Sequence, residues 1–304
     1  MPAPKSNNNP SGPSASASLA AAEAASSKEL AIAKPLSLEQ MRRMAKRLRR
    51  HIITMTAKAG SGHPGGSLSS VELITALIFS HLRHDPRNPR WPHRDRFVLS
   101  KGHAAPALYA ALAEAGYFPV EELLTLRELD SRMQGHTDTT TTPGVEMSAG
   151  ALGQGLSFTI GTALAARLDR RDHRTYVLLG DGECDEGQVW EAAMAAAHFK
   201  LDNIVAIVDR NRLQLDGWTH QVMDTEPLAE KWRSFGWHAV EIDGHDLKQI
   251  LAALEEAKTV KGKPTAIIAR TTKGKGVSFM ENNVDFHGRA PTPEEAERAL
   301  KELE

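Results

Sequence analysis

The chain has 304 residues, of which 41% are hydrophobic and 25% are charged, and its formal net charge is -1. This composition is ordinary for a folded domain, and the balanced charge provides no basic surface for nucleic acid or for an anionic membrane. One cysteine and the lack of any apolar run long enough to cross a bilayer exclude a disulfide framework and a membrane span, and they favour a cytoplasmic location.

Residues 1–34 are rich in serine, alanine and proline and contain too little apolar bulk to pack. They lack the apolar core of a secretory signal and the arginines of a mitochondrial presequence. We therefore predict a disordered tail over residues 1–34 and one folded domain over residues 35–304.

Residues 37–40 (Ser-Leu-Glu-Gln) have the pattern of a capping box, which predicts a basic helix at the start of the folded domain. Apolar residues follow at helical spacing and predict its buried face: Met41, Met44, Leu48 and Ile52. A glycine-rich turn is predicted at residues 60–66, and a second helix from about Ser69 to Leu82.

Short apolar runs then alternate with helical stretches. Strands are predicted at Thr175–Leu179, Ile204–Asp209, Ala239–Ile242 and Ala266–Ala269. Helices are predicted at Gly187–Phe199, Leu228–Phe235 and Asp246–Lys258, with a charged terminal helix at Pro293–Leu303. This alternation predicts an α/β fold of three layers, doubly wound, in which a mainly parallel sheet has helices on both faces.

Polar residues follow two of the predicted strands. Gly180-Asp181-Gly182 comes after Thr175–Leu179, and Asn211 comes after the next strand, 30 positions beyond Asp181. If these strands are neighbours, a carboxylate and an amide oxygen meet at the edge where open α/β sheets bind their ligands. Hard oxygen ligands suit Mg²⁺ or Ca²⁺, and glycines before a helix N-terminus suit a diphosphate. The simpler interpretation is a plain turn, and a nicotinamide site is disfavoured because no G-x-G-x-x-G motif opens a helix here.

The pair formed by Gly180-Asp181-Gly182 and Asn211 resembles the signature of thiamine-diphosphate enzymes. Six other segments resemble transketolases in particular and occur in that family's order: residues 61–66, 95–103, 134–136, 143–146, 152–155 and 215–217. The resemblance extends over residues 40–290. It implies thiamine diphosphate and Mg²⁺, with Ca²⁺ or Mn²⁺ as substitutes, and transfer of a two-carbon ketol unit from a ketose phosphate to an aldose phosphate.

The resemblance also implies roles for individual residues. The metal ion would be bound by Asp181, Asn211 and the backbone carbonyl of Leu213. Cofactor contacts are implied for His103, Gly150, Ala151, Leu152, Gly180, Asp181, Gly182, Glu186, Asn211 and His287. Ala151 stands where the family often has proline or serine, a change of little effect if its backbone makes the contact.

The chain contains 13 histidines, and four of them lie in glycine-containing loops: His63, His103, His136 and His287. Imidazole titrates near neutrality and therefore suits the proton movements of ketol transfer. The resemblance implies that His63 and His287 move protons at substrate oxygens, while His103 and His136 bind the donor. We predict that the other histidines considered are structural or exposed: His51, His81, His84, His173 and His198.

Two further features have open interpretations. Glu186 and Glu191 lie at the start of a predicted helix; they either favour its positive terminus or, as in transketolases, lie at a subunit interface. Residues 273–276 (Lys-Gly-Lys-Gly) form either a mobile loop that closes over the site or a plain solvated loop.

Only 17 residues follow His287. Transketolases carry a second, pyrimidine-binding domain with the carboxylate that activates the cofactor, and these residues cannot form it. We therefore expect a partner subunit of the transketolase C-terminal type, which supplies that domain, in an α₂β₂ assembly.

Two other functions remain open. One is the alpha subunit of a 2-oxo-acid dehydrogenase or decarboxylase, which shares Gly180-Asp181-Gly182 and Asn211 but not the other segments. The other is a non-catalytic, cofactor-binding regulatory subunit, which is disfavoured because the loop histidines and both side-chain metal ligands are retained.

Overall fold

A computed structural model describes residues 35–304, and the predicted tail at residues 1–34 lies outside the described residues. The strands in the described part are β1 (Arg96–Leu99), β2 (Thr175–Gly180), β3 (Ile204–Arg210), β4 (His238–Asp243) and β5 (Thr265–Arg270). The helices before β2 are α1 (Leu38–Ala59), α2 (Pro64–Ser69), α3 (Val71–Ala76), α4 (Ala105–Ala115) and α5 (Gln154–Leu168). Those after β2 are α6 (Gly187–His198), α7 (Thr219–Val222), α8 (Leu228–Ser234), α9 (Leu247–Thr259) and α10 (Pro293–Glu302).

The strands form a five-stranded sheet in the order β1-β2-β3-β5-β4, and every pairing is parallel. In the register of β2 and β3, Gly180 pairs with Asp209. The carboxyl ends of these strands therefore lie side by side, and the polar residues after them begin from the same edge of the sheet.

Successive residues of each strand pack alternately into two cores, one on each face of the sheet, because their side chains point to opposite faces. On β2, Tyr176 and Leu178 belong to a core that contains α1 to α4, α9 and α10, while Val177 and Leu179 belong to a core that contains α5, α6 and α8. The sheet is buried on both faces, which confirms the predicted three layers.

The first helix begins as the sequence predicts. Ser37 accepts a hydrogen bond from the backbone of Gln40, whose side chain accepts one from the backbone of Ser37, so the capping box is formed. Gly60 ends the helix with φ of 57°, in the left-handed region that glycine adopts without strain. No helix within residues 35–304 is long and apolar enough to span a membrane.

The prediction for the segment after Gly60 was wrong in its boundary. The helical path starts at Pro64, five residues before the predicted Ser69, and it ends in a π turn at Leu77–His81. Proline is favourable in the first turn of a helix, and the glycines there allow close packing: a Cβ on Gly65 would lie 2.8 Å from the carbonyl of Phe286.

Candidate active site

Asp181 lies at the carboxyl edge of the sheet, directly after β2. Its backbone N–H donates to the carbonyl of Asp209 at the end of β3 (3.3 Å), and its carboxylate accepts from the backbone N–H groups of Gly182 (3.0 Å) and Arg212. The side chain is buried, and burial together with the nearby Asp209 charge raises the pKa of Asp181 to about 7. A buried carboxylate is costly to ionise by itself, and a cation bound beside it would offset that cost.

Asn211 and Leu213 bring two further oxygens to the same place. The amide oxygen of Asn211 accepts from the backbone N–H of Leu213 (3.1 Å), and the residue between them, Arg212, has a φ of 63° that turns the chain tightly. Carboxylate, amide and carbonyl oxygens are the donor set that Mg²⁺ prefers. The described residues contain no group of three or more His, Cys, Asp or Glu able to hold a metal, so a metal ion here would need the amide and carbonyl oxygens as well as Asp181.

A cavity of about 200 Å³ joins these oxygens to the other candidate residues. Of the residues predicted to bind cofactor or metal, it is lined by His103, Leu152, Gly180, Asp181, Gly182, Asn211, Leu213 and His287. Gly150, Ala151 and Glu186 are exposed and do not line it. Gly150 lies beside the His136 ring, and Glu186 lies beside Gly153.

Four histidine rings from separate parts of the chain meet beside this cavity. The centre of the His63 ring lies 5.4 Å from that of His103, 5.9 Å from that of His136 and 5.8 Å from that of His287. The His103 and His287 rings stack with centres 5.2 Å apart. These rings come from the turn before α2, the turn after β1, the loop between α4 and α5, and the short 3₁₀ turn before α10.

The surroundings hold these imidazoles in their neutral forms. Burial and nearby positive charges lower the pKa of His63 to about 4, and burial and the Lys273 charge lower the pKa of His287 to about 3. Burial is also the first cause that lowers the pKa of His103 and of His136. At neutral pH each ring therefore has one nitrogen that donates a hydrogen bond and one that accepts.

Sequence reasoning missed two lysines and an aspartate at the centre of the site. Lys101 and Asp209, both buried, form an ion pair, and Lys101 also donates to the carbonyl of Gly66 (3.0 Å). Lys273 is 2% exposed, so the solvated-loop interpretation of residues 273–276 is wrong for this residue. Its ammonium donates to the Leu213 carbonyl (2.8 Å) and to Nδ1 of His287 (2.7 Å).

A missed glutamate ties three loops of the site together. The buried Glu183 carboxylate accepts the hydroxyl of Ser100 and the backbone N–H groups of Gly153 and Gly180, both at 2.9 Å. These donors belong to the loops that carry His103, Leu152 and Asp181. The only sequence signal was its position immediately after Gly182.

A wider, open hollow of about 580 Å³ also borders His287. It is lined by Gly60, Ser61, Leu215, Val284, Asp285, His287, Gly288, Arg289 and Ala290. His287 lines both spaces, so a molecule in the hollow would contact the same imidazole that faces the inner cavity.

Comparison with known proteins gives one consistent result. A family model described as "Transketolase, thiamine diphosphate binding domain" matches residues 40–303. The chain is 48% identical over 257 residues to the 6-deoxy-6-sulfo-D-fructose transketolase subunit SqwG of Clostridium sp. (strain MSTE9), a match that covers 84% of this chain and 94% of that protein. It is 44% identical over 269 residues to an apulose-4-phosphate transketolase subunit from Actinobacillus succinogenes, covering 88% of this chain and 97% of that protein.

Solved structures agree with the fold. The transketolase of Campylobacter jejuni superposes with a TM-score of 0.83 at 35% identity, over 88% of this chain. The chain spans 43% of the length of that transketolase.

Proposed function

The chain belongs to the transketolase family, and from that premise we propose that it is the thiamine-diphosphate-binding subunit of a heteromeric transketolase. The reaction is transfer of a two-carbon ketol unit from a ketose phosphate donor to an aldose phosphate acceptor. One observation carries this proposal: a single cavity brings the oxygens of Asp181, Asn211 and Leu213 next to the stacked rings of His103 and His287. The site thus has oxygens suited to a cation and neutral imidazoles within reach of one ligand.

Asp181, Asn211 and the Leu213 carbonyl would hold the divalent cation, with Mg²⁺ as the native ion and Ca²⁺ or Mn²⁺ as substitutes. Gly180 and Gly182 leave room for the diphosphate beside the N-terminal turn at Gly182–Asp185. Leu152 lines the cavity, whereas Gly150 and Ala151, just before it in the chain, would contact the part of the cofactor that extends out of the cavity. The bound cofactor supplies the carbanion chemistry of the reaction, and the chain supplies orientation and proton transfer.

The four histidines would act on the substrate, two by proton transfer and two by binding. A neutral imidazole can take a proton at one nitrogen while the other stays bonded to its partner, so His63 and His287 are placed to act as general bases and acids at substrate hydroxyl and carbonyl oxygens. His103, which lines the inner cavity, would contact the diphosphate and the donor hydroxyl. The His136 ring lies beside that of His63 and would hydrogen-bond the donor.

We propose a partner subunit that provides the pyrimidine-binding domain, in an α₂β₂ assembly in the cytoplasm. Support comes from the two relatives named as transketolase subunits, since the match covers 94% and 97% of their lengths. Glu186, directly before α6, and Glu191 within it are both exposed, as residues of an interface with another subunit would be in the chain by itself. Glu186 would then approach the cofactor through that interface.

The two relatives are named for a sulfonated deoxyfructose and for apulose 4-phosphate. We propose pentose phosphates as the first substrates to assay, with unusual catabolic ketoses as the alternative.

The test combines the purified chain with its candidate partner, thiamine diphosphate, Mg²⁺, a ketose phosphate and an aldose phosphate. We expect ketol transfer in the mixture and none with either protein by itself. Release of CO₂ from a 2-oxo acid without ketol transfer would point to a dehydrogenase or decarboxylase subunit. Failure to bind the cofactor with the partner present would overturn the proposal.

A further inference from the structure

The turn that carries Lys273 into the cavity is anchored at both ends by side chains that do not line the cavity. The backbone N–H of Thr272, just before Lys273, donates to Nε2 of His245 (2.9 Å). The backbone carbonyl of Lys275, two residues after Lys273, accepts from Nε of Arg49 (2.8 Å). The anchors come from the β4–α9 loop and from α1, far from Lys273 in the sequence.

Glu72 on α3 joins the two anchors. Its carboxylate accepts two parallel hydrogen bonds from Arg49, 2.7 and 2.8 Å long, and a third from Nδ1 of His245, 3.0 Å long. Both partners of the ion pair are buried, with side chains 8% and 11% exposed. A bidentate pair with little exposure fixes both side chains in one geometry.

The direction of these bonds fixes the His245 tautomer. A backbone N–H can only donate, so Nε2 of His245 must accept the hydrogen bond from Thr272. The ring proton is therefore on Nδ1, which donates a hydrogen bond to the Glu72 carboxylate. Glu72 therefore sets the protonation pattern that His245 needs in order to hold the turn. This is the arrangement by which outer side chains orient a ligand-binding group.

We propose that Arg49, Glu72 and His245 are positioning residues that hold the turn at residues 272–275 and so keep the Lys273 ammonium in the cavity. These three residues line a separate, open hollow of about 660 Å³ and do not line the cavity. They therefore affect the cavity only by holding the turn that carries Lys273. The claim about the turn stands on the contacts alone. Its consequence for cofactor affinity rests on the proposed function.

Hydrogen exchange of the chain by itself tests the structural claim. In His245→Phe, which removes the acceptor, we expect amides within residues 271–276 to exchange at least about tenfold faster, as expected for the loss of one buried hydrogen bond. His245→Gln should restore much of the protection, because its amide oxygen can accept from Thr272. His238→Phe is the matched control: it removes a histidine–glutamate contact at the opposite end of β4 and should leave the turn unchanged.

The second readout is cofactor binding in the assembled enzyme. His245→Phe should raise the dissociation constant for thiamine diphosphate at least about tenfold, with a smaller change in kcat at saturating cofactor. Unchanged exchange at residues 271–276 would overturn the proposal, and so would faster exchange that is equal in β2 and β3, since His245 would then support the whole domain. Faster exchange at the turn in a chain that never shows ketol transfer would support the anchoring and refute only the proposed function.

Discussion

The ammonium of Lys273 donates a hydrogen bond 2.8 Å long to the backbone carbonyl of Leu213, the same oxygen that we propose as a metal ligand. Burial and the nearby Lys101 lower the pKa of Lys273 to about 8, although the charges of Asp181 and Asp209 act in the opposite direction. A buried lysine beside a candidate metal ligand is costly unless an anion shares the cavity. The pairing therefore points to a ligand that brings both the cation and negative charge.

Replacing this ammonium should weaken binding of the anionic cofactor. In Lys273→Met we expect the dissociation constant of thiamine diphosphate to rise at least about tenfold, since hydrogen bonds to charged groups contribute about 1.5–3 kcal/mol. Calorimetry on the assembled enzyme at saturating Mg²⁺ measures it. Lys263→Met changes an exposed lysine and serves as the control; equal affinities in both variants would contradict the role given to Lys273.

Two further variants should show that metal binding and proton transfer depend on different residues. Asp181→Asn removes the charge that a cation needs and should abolish Mg²⁺-dependent cofactor binding. His63→Ala should leave the cofactor bound but lower kcat by at least about 10²-fold, the usual contribution of a positioned acid or base. Binding and turnover are measured on the same preparations, with His198→Ala on the exposed end of α6 as the control. Normal turnover in both variants would show that the site is assigned wrongly.

The His63 pKa offers a test on the isolated chain. Burial comes first among the causes that lower it to about 4, and the charge of Arg127 comes second. The Arg127 guanidinium donates to the Ser61 hydroxyl (2.7 Å) and lies 3.4 Å from Nδ1 of His63. Removing a positive charge makes protonation less costly, so Arg127→Gln should raise the His63 pKa while burial keeps it below 6.5.

NMR titration of labelled histidines measures this shift. Arg132→Gln, in the same loop but paired with Glu122, is the matched control and should leave the His63 pKa where it is. A pKa that falls or stays constant in Arg127→Gln would contradict the charge effect.

The parts of the fold that the sequence predicted correctly are those with a strong local signal. Strands β2 and β3 are continuous apolar runs bounded by polar turns, and parallel pairing then places Asp181 and Asn211 at one edge. Strand β1 was missed because it has four residues and starts with Arg96. Helix α4 was missed because it is rich in alanine and buried over nearly its whole length, which removes the periodic pattern. Helix α5 was missed because apolar side chains also lie on its exposed side, among them Phe158 and Leu168.

The charged part of the site was beyond sequence reasoning for a different reason. Lys101 and Asp209 are 108 positions apart, and each alone would be an unfavourable buried charge. Their pairing exists only once β1, β2 and β3 are side by side. The four histidines could be selected as candidates from their glycine-containing loops, but nothing local predicts that His103 and His287 stack.

Glu72 should make stability depend on acid pH. Burial opposes its ionisation, but the Arg49 charge and the His245 hydrogen bond outweigh burial and lower the pKa of Glu72 to about 2. Because the folded pKa lies below the unfolded value, this contribution is complete above about pH 4.5 and is lost as pH falls towards 2. The stability gap between the wild type and Glu72→Gln should narrow from about 3 kcal/mol at pH 6 to near zero at pH 2.

Urea unfolding at a series of pH values gives this gap. Glu39→Gln, at an exposed pair with Arg43, is the matched control and should show almost no gap at any pH. A gap for Glu72→Gln that stays constant down to pH 2 would mean that the carboxylate does not stabilise the fold through its charge.

Glu183 should couple the stability of the domain to cofactor binding, because one carboxylate accepts hydrogen bonds from three loops of the site. Glu183→Gln keeps the shape but turns one acceptor into a donor, so the amide must oppose either the N–H of Gly180 or the donors of Ser100 and Gly153. Leaving a buried donor without its acceptor costs about 1–3 kcal/mol, and we expect the free energy of unfolding to fall by that amount. The affinity for thiamine diphosphate should fall with it, since these loops carry residues that line the cavity.

Urea unfolding and cofactor titration of the same variant decide between two roles. Glu241→Gln, an exposed change of the same chemistry on β4, should alter neither quantity. If Glu183→Gln lowers stability but leaves cofactor affinity intact, the carboxylate supports the fold without setting the geometry of the cavity. If both fall together, the three loops behave as one unit, and the Glu183 carboxylate sets the shape of the cavity through its hydrogen bonds to them.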